Sequence, residues 1–169
     1  TIHLFSNGSK LNNKLGLKIL KEDLLNNLTI SFDGGTKEVY ESIRKNLSFE
    51  EVKNNVHNFI KNRNSFRIHK KPFVEISMVV TKGNKDTMKD LEKEFKDADD
   101  VTFHKFFNWG GQLRKPEKTI GTKIKNILYK RNWCSRVDNY MTILINGDVA
   151  LCCWDYEGKV ILGNIKNSS

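Results

Sequence analysis

The chain has 169 residues, 38% apolar and 29% charged, and carries a net charge of +9. That length allows one ordinary domain, or a domain with a small appendage, and lets folding bury roughly 70% of the unfolded chain's surface. The composition suits a soluble protein, no run approaches the roughly 18 consecutive apolar residues of a membrane-spanning helix, and three cysteines, two of them adjacent, make a poor disulfide framework.

Strand-like and helix-like segments alternate over the first hundred residues. Ile2 to Ser6 is short and apolar and stops at Asn7-Gly8-Ser9; Leu15, Leu17, Leu20, Leu24 and Leu25 recur near helical spacing; Leu28 to Phe32 is a strand that stops at Asp33-Gly34-Gly35. Two helices follow, Thr36 to Asn46 and Ser48 to Lys61, the second opened by Ser48 and Glu51 in capping-box spacing. Phe73 to Val80 is the next strand, Asn84 to Lys96 the next helix, and Val101 to Phe106 the last strand of this part. Repeated β-α units with helices of this length predict a parallel sheet with crossover helices, part of a larger barrel or open sheet.

The character changes after Trp109-Gly110-Gly111. A basic, weakly apolar stretch leads to Trp133-Cys134, then to strand-like Tyr140 to Ile145, an Asn146-Gly147 turn, Val149 to Cys153, a turn at Glu157-Gly158, and Val160 to Leu162. Asn-Gly between two β-rich runs is a strong hairpin signal. We therefore expect three parts: a βα part over residues 1–112, a basic linker over 113–132, and a small antiparallel appendage over 133–169. An appendage of that size needs a metal or a host surface to be stable.

Cys134, Gly147 and Cys152 read as C-x12-G-x4-C, with Cys153 adjoining. If the chain doubles back at Asn146-Gly147, Cys134 and Cys152 meet, and their sulfurs approach to the roughly 4 Å on which two thiolates share a metal. Soft thiolates suit iron or zinc, yet three are short of the four that a closed site takes. Neighbours on an extended strand face opposite sides, so Cys152 is the expected ligand and Cys153 a buried residue on the hairpin's packed side. His3, His57, His69 and His104 show no metal-ligand pairing with these thiols and are taken as non-ligands.

Ligands of β-α proteins bind at the carboxyl ends of the strands. Three ends are polar and small here: Ser6-Asn7-Gly8, Ser31 with Asp33, and Thr81-Lys82-Gly83. Each could admit a ligand, or simply turn the chain. Arg44, about two turns into the next helix, carries a planar fork that could hold a carboxylate; a surface arginine is the other reading. Asp155 could act as an acid or base near a substrate, or shape the Asp155 to Gly158 turn. The densest basic stretch, Arg114 to Arg136, could meet phosphates or remain a solvated linker.

Taken together, "LFSNG", "LTISFDGGTKEVYESIRKNLSFEEVKNNVHNFIKNRN", "VEISMVVTKGN", "VTFHKFFNWGG" and "WCSRVDNYMTILINGDVALCCWDYEGKVILGNI" resemble radical S-adenosylmethionine (radical SAM) enzymes that end in a SPASM or twitch domain. The resemblance covers essentially the whole chain, and its most specific part is C-x12-G-x4-C followed by "CCWDYEGKVILGNI". It implies an α/β fold: about four parallel strands with helices from the C-terminal part of a partial (β/α)6 barrel, then a small antiparallel β-hairpin domain. It implies that Ser31 and Arg44 contact S-adenosylmethionine with Asn7 and Gly8 close by; Asp33 completes the expected cofactor-binding set. Cys134 and Cys152 would ligate an auxiliary [4Fe-4S] cluster, and Asp155 falls where some relatives carry a catalytic carboxylate.

The family's radical chemistry needs a C-x3-C-x2-C loop, and this sequence has no cysteine before Cys134. The glycine-rich segment that usually follows that loop is also absent. The expectation is an interior fragment that does not cleave the cofactor alone, from a cytoplasmic enzyme that abstracts hydrogen from a peptide or small-molecule substrate. A flavodoxin or ferredoxin would supply electrons, and neither a membrane nor nucleic acid would be a partner. The alternative is a non-enzymatic basic protein that binds zinc at Cys134 and Cys152 and nucleic acid along Arg114 to Arg136. Against it stand the lack of His ligands and of an aromatic-plus-basic strand pattern.

Overall fold

A computed structural model describes residues 1–65, 71–106, 137 and 139–167. The chain forms two compact units, Thr1–Phe106 and Phe107–Ser169. Trp109 to Gly111, the basic stretch Arg114 to Arg136 and Cys134 lie outside the described residues.

In the first unit, β1 (His3–Ser6), β2 (Asn27–Ser31), β3 (Phe73–Val80) and β4 (Asp100–Lys105) form one sheet in the order β1-β2-β3-β4. Every neighbouring pair is parallel, as the alternating elements predict, with Ser6 opposite Ile30, Ser31 opposite Ser77 and Ser77 opposite Thr102. One face is apolar at every second position: Leu28, Ile30 and Phe32 beside Val74, Ile76 and Met78, all buried. They share a core with α1 (Asn13–Lys21), α2 (Lys37–Ile43), α3 (Phe49–Ser65) and α4 (Met88–Glu94), through Ile19, Tyr40, Val52, Val56, Phe59 and Leu91. Phe32 stands at its centre, with ring centroids of Tyr40, Phe95 and Phe49 at 4.4, 4.9 and 5.5 Å.

Three of the helices start where a side chain caps them. Asn12 accepts from the Leu15 amide at 3.0 Å, and Ser48 accepts from the Glu51 amide at 3.3 Å. Helix α1 is shorter than its leucine spacing suggests. It stops at Lys21, and Asp23 takes a φ of 47°, so Leu24 and Leu25 lie on the connection to β2. Helix α3 instead runs past the predicted Lys61, because Arg63 is anchored in the interior: its guanidinium pairs with Asp99 and donates to the Pro72 carbonyl at 3.1 Å. Asp99 also accepts from the Val74 amide at 2.7 Å, which fixes the start of β3 beside the turn before β4. No helix among the described residues is long and apolar enough to cross a membrane.

The second unit holds β5 (Thr142–Ile143), β6 (Asp148–Ala150) and β7 (Ile161–Asn164), antiparallel in that order. The expected hairpin forms at Asn146-Gly147. Its loop has three residues, Ile145 to Gly147, since Leu144 donates to the Asp148 carbonyl and the Gly147 amide donates back to Leu144. Gly147 supplies the positive φ, 94°, that ends such a loop.

Candidate cofactor and cluster site

Asn7 and Ser31 mark the carboxyl ends of β1 and β2, as their strand-end positions predict. Asn7 folds its carbonyl back onto Ser9, accepting from the backbone amide at 3.1 Å and the hydroxyl at 2.8 Å. Gly8 is buried with a φ of 73°, and a Cβ there would stand 3.1 Å from Val52 Cγ1. This glycine lets α3 approach the sheet end closely, a need that its place in a turn does not reveal. Ser31 is half-buried.

Asp33 and Arg44 come together. Arg44 caps the end of α2, and its Nη2 lies 2.6 Å from Asp33 Oδ2. The other carboxylate oxygen of Asp33 accepts from the Val79 amide at 2.9 Å, so the ion pair is bolted to β3 as well as β2. The ion pair thus brings Arg44 to the edge at which Asn7, Ser31 and Asp33 leave the sheet. Two polar atoms beside it are buried without a hydrogen-bond partner among the described residues: Arg44 Nε and the Tyr40 hydroxyl. Burial pushes the Tyr40 phenol up to about 12, against the opposing pull of the Arg44 guanidinium, so Tyr40 stays a neutral donor. A buried donor left unmade costs about 1–3 kcal/mol, which makes this edge a place where a polar ligand would be stabilising.

One residue of this edge was not singled out from sequence. Asn84, 1% exposed, accepts from Thr81 through both its amide and hydroxyl and donates to the Asp33 carbonyl at 3.1 Å and the Val79 carbonyl at 3.0 Å. It stitches the ends of β2 and β3 and so sets the height at which Asp33 and Arg44 sit. The only sequence signal was an Asn at a helix start, which says nothing of a partner 51 residues away.

In the second unit the expectation for Cys153 is corrected. Strand β6 ends at Ala150 after a register shift between Val149 and Ala150, so Leu151 to Trp154 form bends and turns. The alternation that placed Cys153 on the packed side does not operate there: Cys153 is exposed and Cys152 half-buried. Both thiols therefore stand at a turn beyond the strand, and alternation no longer excludes Cys153 as a ligand. The expected approach of Cys134 to Cys152 lies outside the described residues. Among the described residues no three His, Cys, Asp or Glu side chains converge on a metal position.

Asp155, 8% exposed, has both carboxylate oxygens engaged, Oδ1 by the Lys159 amide at 2.8 Å and Oδ2 by the Val160 amide at 2.7 Å. With Gly158 donating to its carbonyl at 3.1 Å, Asp155 holds the turn that returns the chain to β7. An acid or base at this position would have to work through oxygens that already accept two backbone bonds. Asn164 does the same for the other turn, donating to Asp148 Oδ1 at 2.8 Å and to the Asn146 carbonyl at 3.4 Å. The "LGNI" end of the motif is thus a clamp on the Asn146-Gly147 hairpin.

Residues 134–169 match the family model of SPASM, an iron-sulfur cluster-binding domain. No curated protein matches the chain. The match supports the SPASM part of the sequence reading, and with it iron-sulfur binding as the property of the C-terminal unit.

Proposed function

We propose that the chain belongs to a radical SAM enzyme, with the Asn7, Gly8, Ser31, Asp33 and Arg44 edge holding S-adenosylmethionine and Cys134 with Cys152 ligating an auxiliary [4Fe-4S] cluster. The observation that carries this reading is the SPASM match at 134–169, in a chain whose first unit has four parallel strands with crossover helices. The donor chemistry fits both groups. Arg44 has a buried Nε without a partner among the described residues, and thiols stand at a turn in the second unit. Three cysteines leave at least one of four cluster positions to another ligand.

S-adenosylmethionine, reduced at a [4Fe-4S] centre, would supply a radical able to abstract hydrogen from a peptide or small-molecule substrate, with electrons from a flavodoxin or ferredoxin in the cytoplasm. The chain's own residues bind and orient. Arg44, held by Asp33, would offer its remaining donors to the cofactor's carboxylate, while Asn84 fixes the strand ends against which the cofactor would lie. No C-x3-C-x2-C occurs in the sequence, so this chain with dithionite should release no 5′-deoxyadenosine above a protein-free control.

The test is calorimetric titration of the chain with S-adenosylmethionine. Arg44→Ala should weaken binding by about 1.5–3 kcal/mol, the worth of a hydrogen bond to a charged group. A change below about twofold returns Arg44 to the class of structural arginines that only pair with Asp33.

A further inference from the structure

The face of the sheet turned away from the helices carries Glu75, near the start of β3, with the exposed Asp100 of β4 as its register partner. Both of its oxygens are engaged by neighbouring strands: Thr29 Oγ1 on β2 donates to Oε2 at 2.7 Å, and Thr102 Oγ1 on β4 donates to Oε1 at 2.6 Å. Each threonine hydroxyl has one hydrogen, and that hydrogen is used on Glu75. The imidazoles beyond them must therefore donate. His3 Nε2 lies 2.7 Å from Thr29 Oγ1, and His104 Nε2 lies 3.2 Å from Thr102 Oγ1. The result is a line of side chains across four strands, His3, Thr29, Glu75, Thr102 and His104, in which every hydrogen points inward at one carboxylate.

That polarity keeps Glu75 ionised. Burial would raise its pKa, but the hydroxyls of Thr102 and Thr29, then the imidazoles of His104 and His3, outweigh it and bring the carboxyl below its ordinary value. Yet among the described residues no lysine or arginine forms an ion pair with it, in a chain with 29 lysines and arginines. The surrounding face is exposed at His3, Phe5, Phe73, Val79 and His104, whereas all-parallel sheets are covered on both faces in folded proteins. Covering this face without a positive charge would bury a carboxylate with only neutral donors, a costly arrangement that a cation relieves. A carboxylate has room for about four hydrogen bonds, and Glu75 has two protein hydroxyls on it.

We propose that Glu75 is a substrate-binding residue that receives an ammonium group, such as the side-chain amine of a lysine in a peptide, on the open face of the sheet. The line of donors holds the carboxylate in one orientation before the ligand arrives, so the site is pre-formed. The inference rests on the proposed enzyme reading for the word substrate; the cation site itself needs neither iron nor S-adenosylmethionine.

The test is an NMR titration of the whole chain with an N-acetylated, C-amidated Gly-Lys-Gly peptide and with its Nε-acetyl-lysine counterpart. The expected result is chemical-shift change centred on Thr29, Glu75 and Thr102 with the lysine peptide and none there with the acetylated one. Glu75→Gln, which keeps the shape and loses the charge, should weaken the response at least about tenfold. Equal shifts with both peptides, shifts located elsewhere, or no shifts at all would overturn the proposal. The comparison of the two peptides on the unaltered chain stands even if the variant folds poorly. Iron content and S-adenosylmethionine binding of the same preparation report separately on the enzyme reading, so the two can fail independently.

Discussion

The two units are held together by different forces. In the first, buried apolar side chains from alternate strand positions meet the inner faces of the helices, and polar side chains do special tasks at the edges. In the second, Ala150 is the one buried hydrophobic among the described residues, while Ile145, Met141, Tyr140 and Leu162 are exposed. Its cohesion comes from side-chain hydrogen bonds at two turns, to backbone through Asn146 and Asp155 and between the side chains of Asn164 and Asp148. A core defines a fold by exclusion of water, and a turn network defines it by hydrogen bonds that water can compete for. A small sheet built in the second way is where a cluster has most to add to stability.

Substitutions at four positions sharpen that contrast, and the largest effect belongs to the core. Phe32→Ala should cost about 3–5 kcal/mol, seen as a fall in the first unit's melting transition with the iron content of reconstituted protein unchanged. Coupled loss of both would show that the second unit depends on the first.

Next in size is Asp155→Ala, which leaves the amides of Lys159 and Val160 without their acceptor. A loss of about 1.5–3 kcal/mol in the second unit is expected, measured by hydrogen exchange of those amides and of the Leu151 amide that pairs with Val160. Unchanged protection would remove Asp155 from the turn network.

Gly147→Ala should cost about 1–2 kcal/mol, because a side chain at φ 94° is strained and its Cβ would meet Asn164 Oδ1 at 3.1 Å. Gly147→Asn, which tolerates a positive φ better, should recover part of the loss in the same exchange experiment.

The smallest effect is a pH dependence. The native carboxyl of Glu75 titrates below the ordinary value of about 4.5. Its contribution to stability is therefore fully present above that value and is lost as the pH falls through the lower native value. Acid unfolding of Glu75→Gln should be flatter than that of the unaltered chain in this window and parallel above it. Identical curves would mean that the hydroxyls do not hold the charge.

Sequence periodicity made the first unit legible as far as its repeating parts go. Short apolar runs that end at turn residues located all four strands, and Thr36 and Ser48 located helix starts, because both signals are local. What stayed hidden joins residues distant in the chain. Arg63 with Asp99, Asn84 with Asp33, and His3 through Glu75 to His104 are contacts that only the strand order creates. The spacing of the histidines says nothing of the hydrogen-bond role of His3 and His104, which depends on β1 and β4 flanking the strands that carry Thr29 and Glu75. In the second unit the C-x12-G-x4-C spacing and the Asn-Gly turn were readable, and the fate of Cys153 was not. The strand that should have alternated it inward ends three residues early, at Ala150.

Metal analysis of the chain after anaerobic reconstitution with iron and sulfide, for the unaltered protein and for Cys134→Ser and Cys152→Ser, tests the central claim most directly. The account predicts iron together with acid-labile sulfide in the unaltered chain and loss of both in each variant. Zinc without sulfide, no bound metal, or full retention of iron in either variant would contradict it.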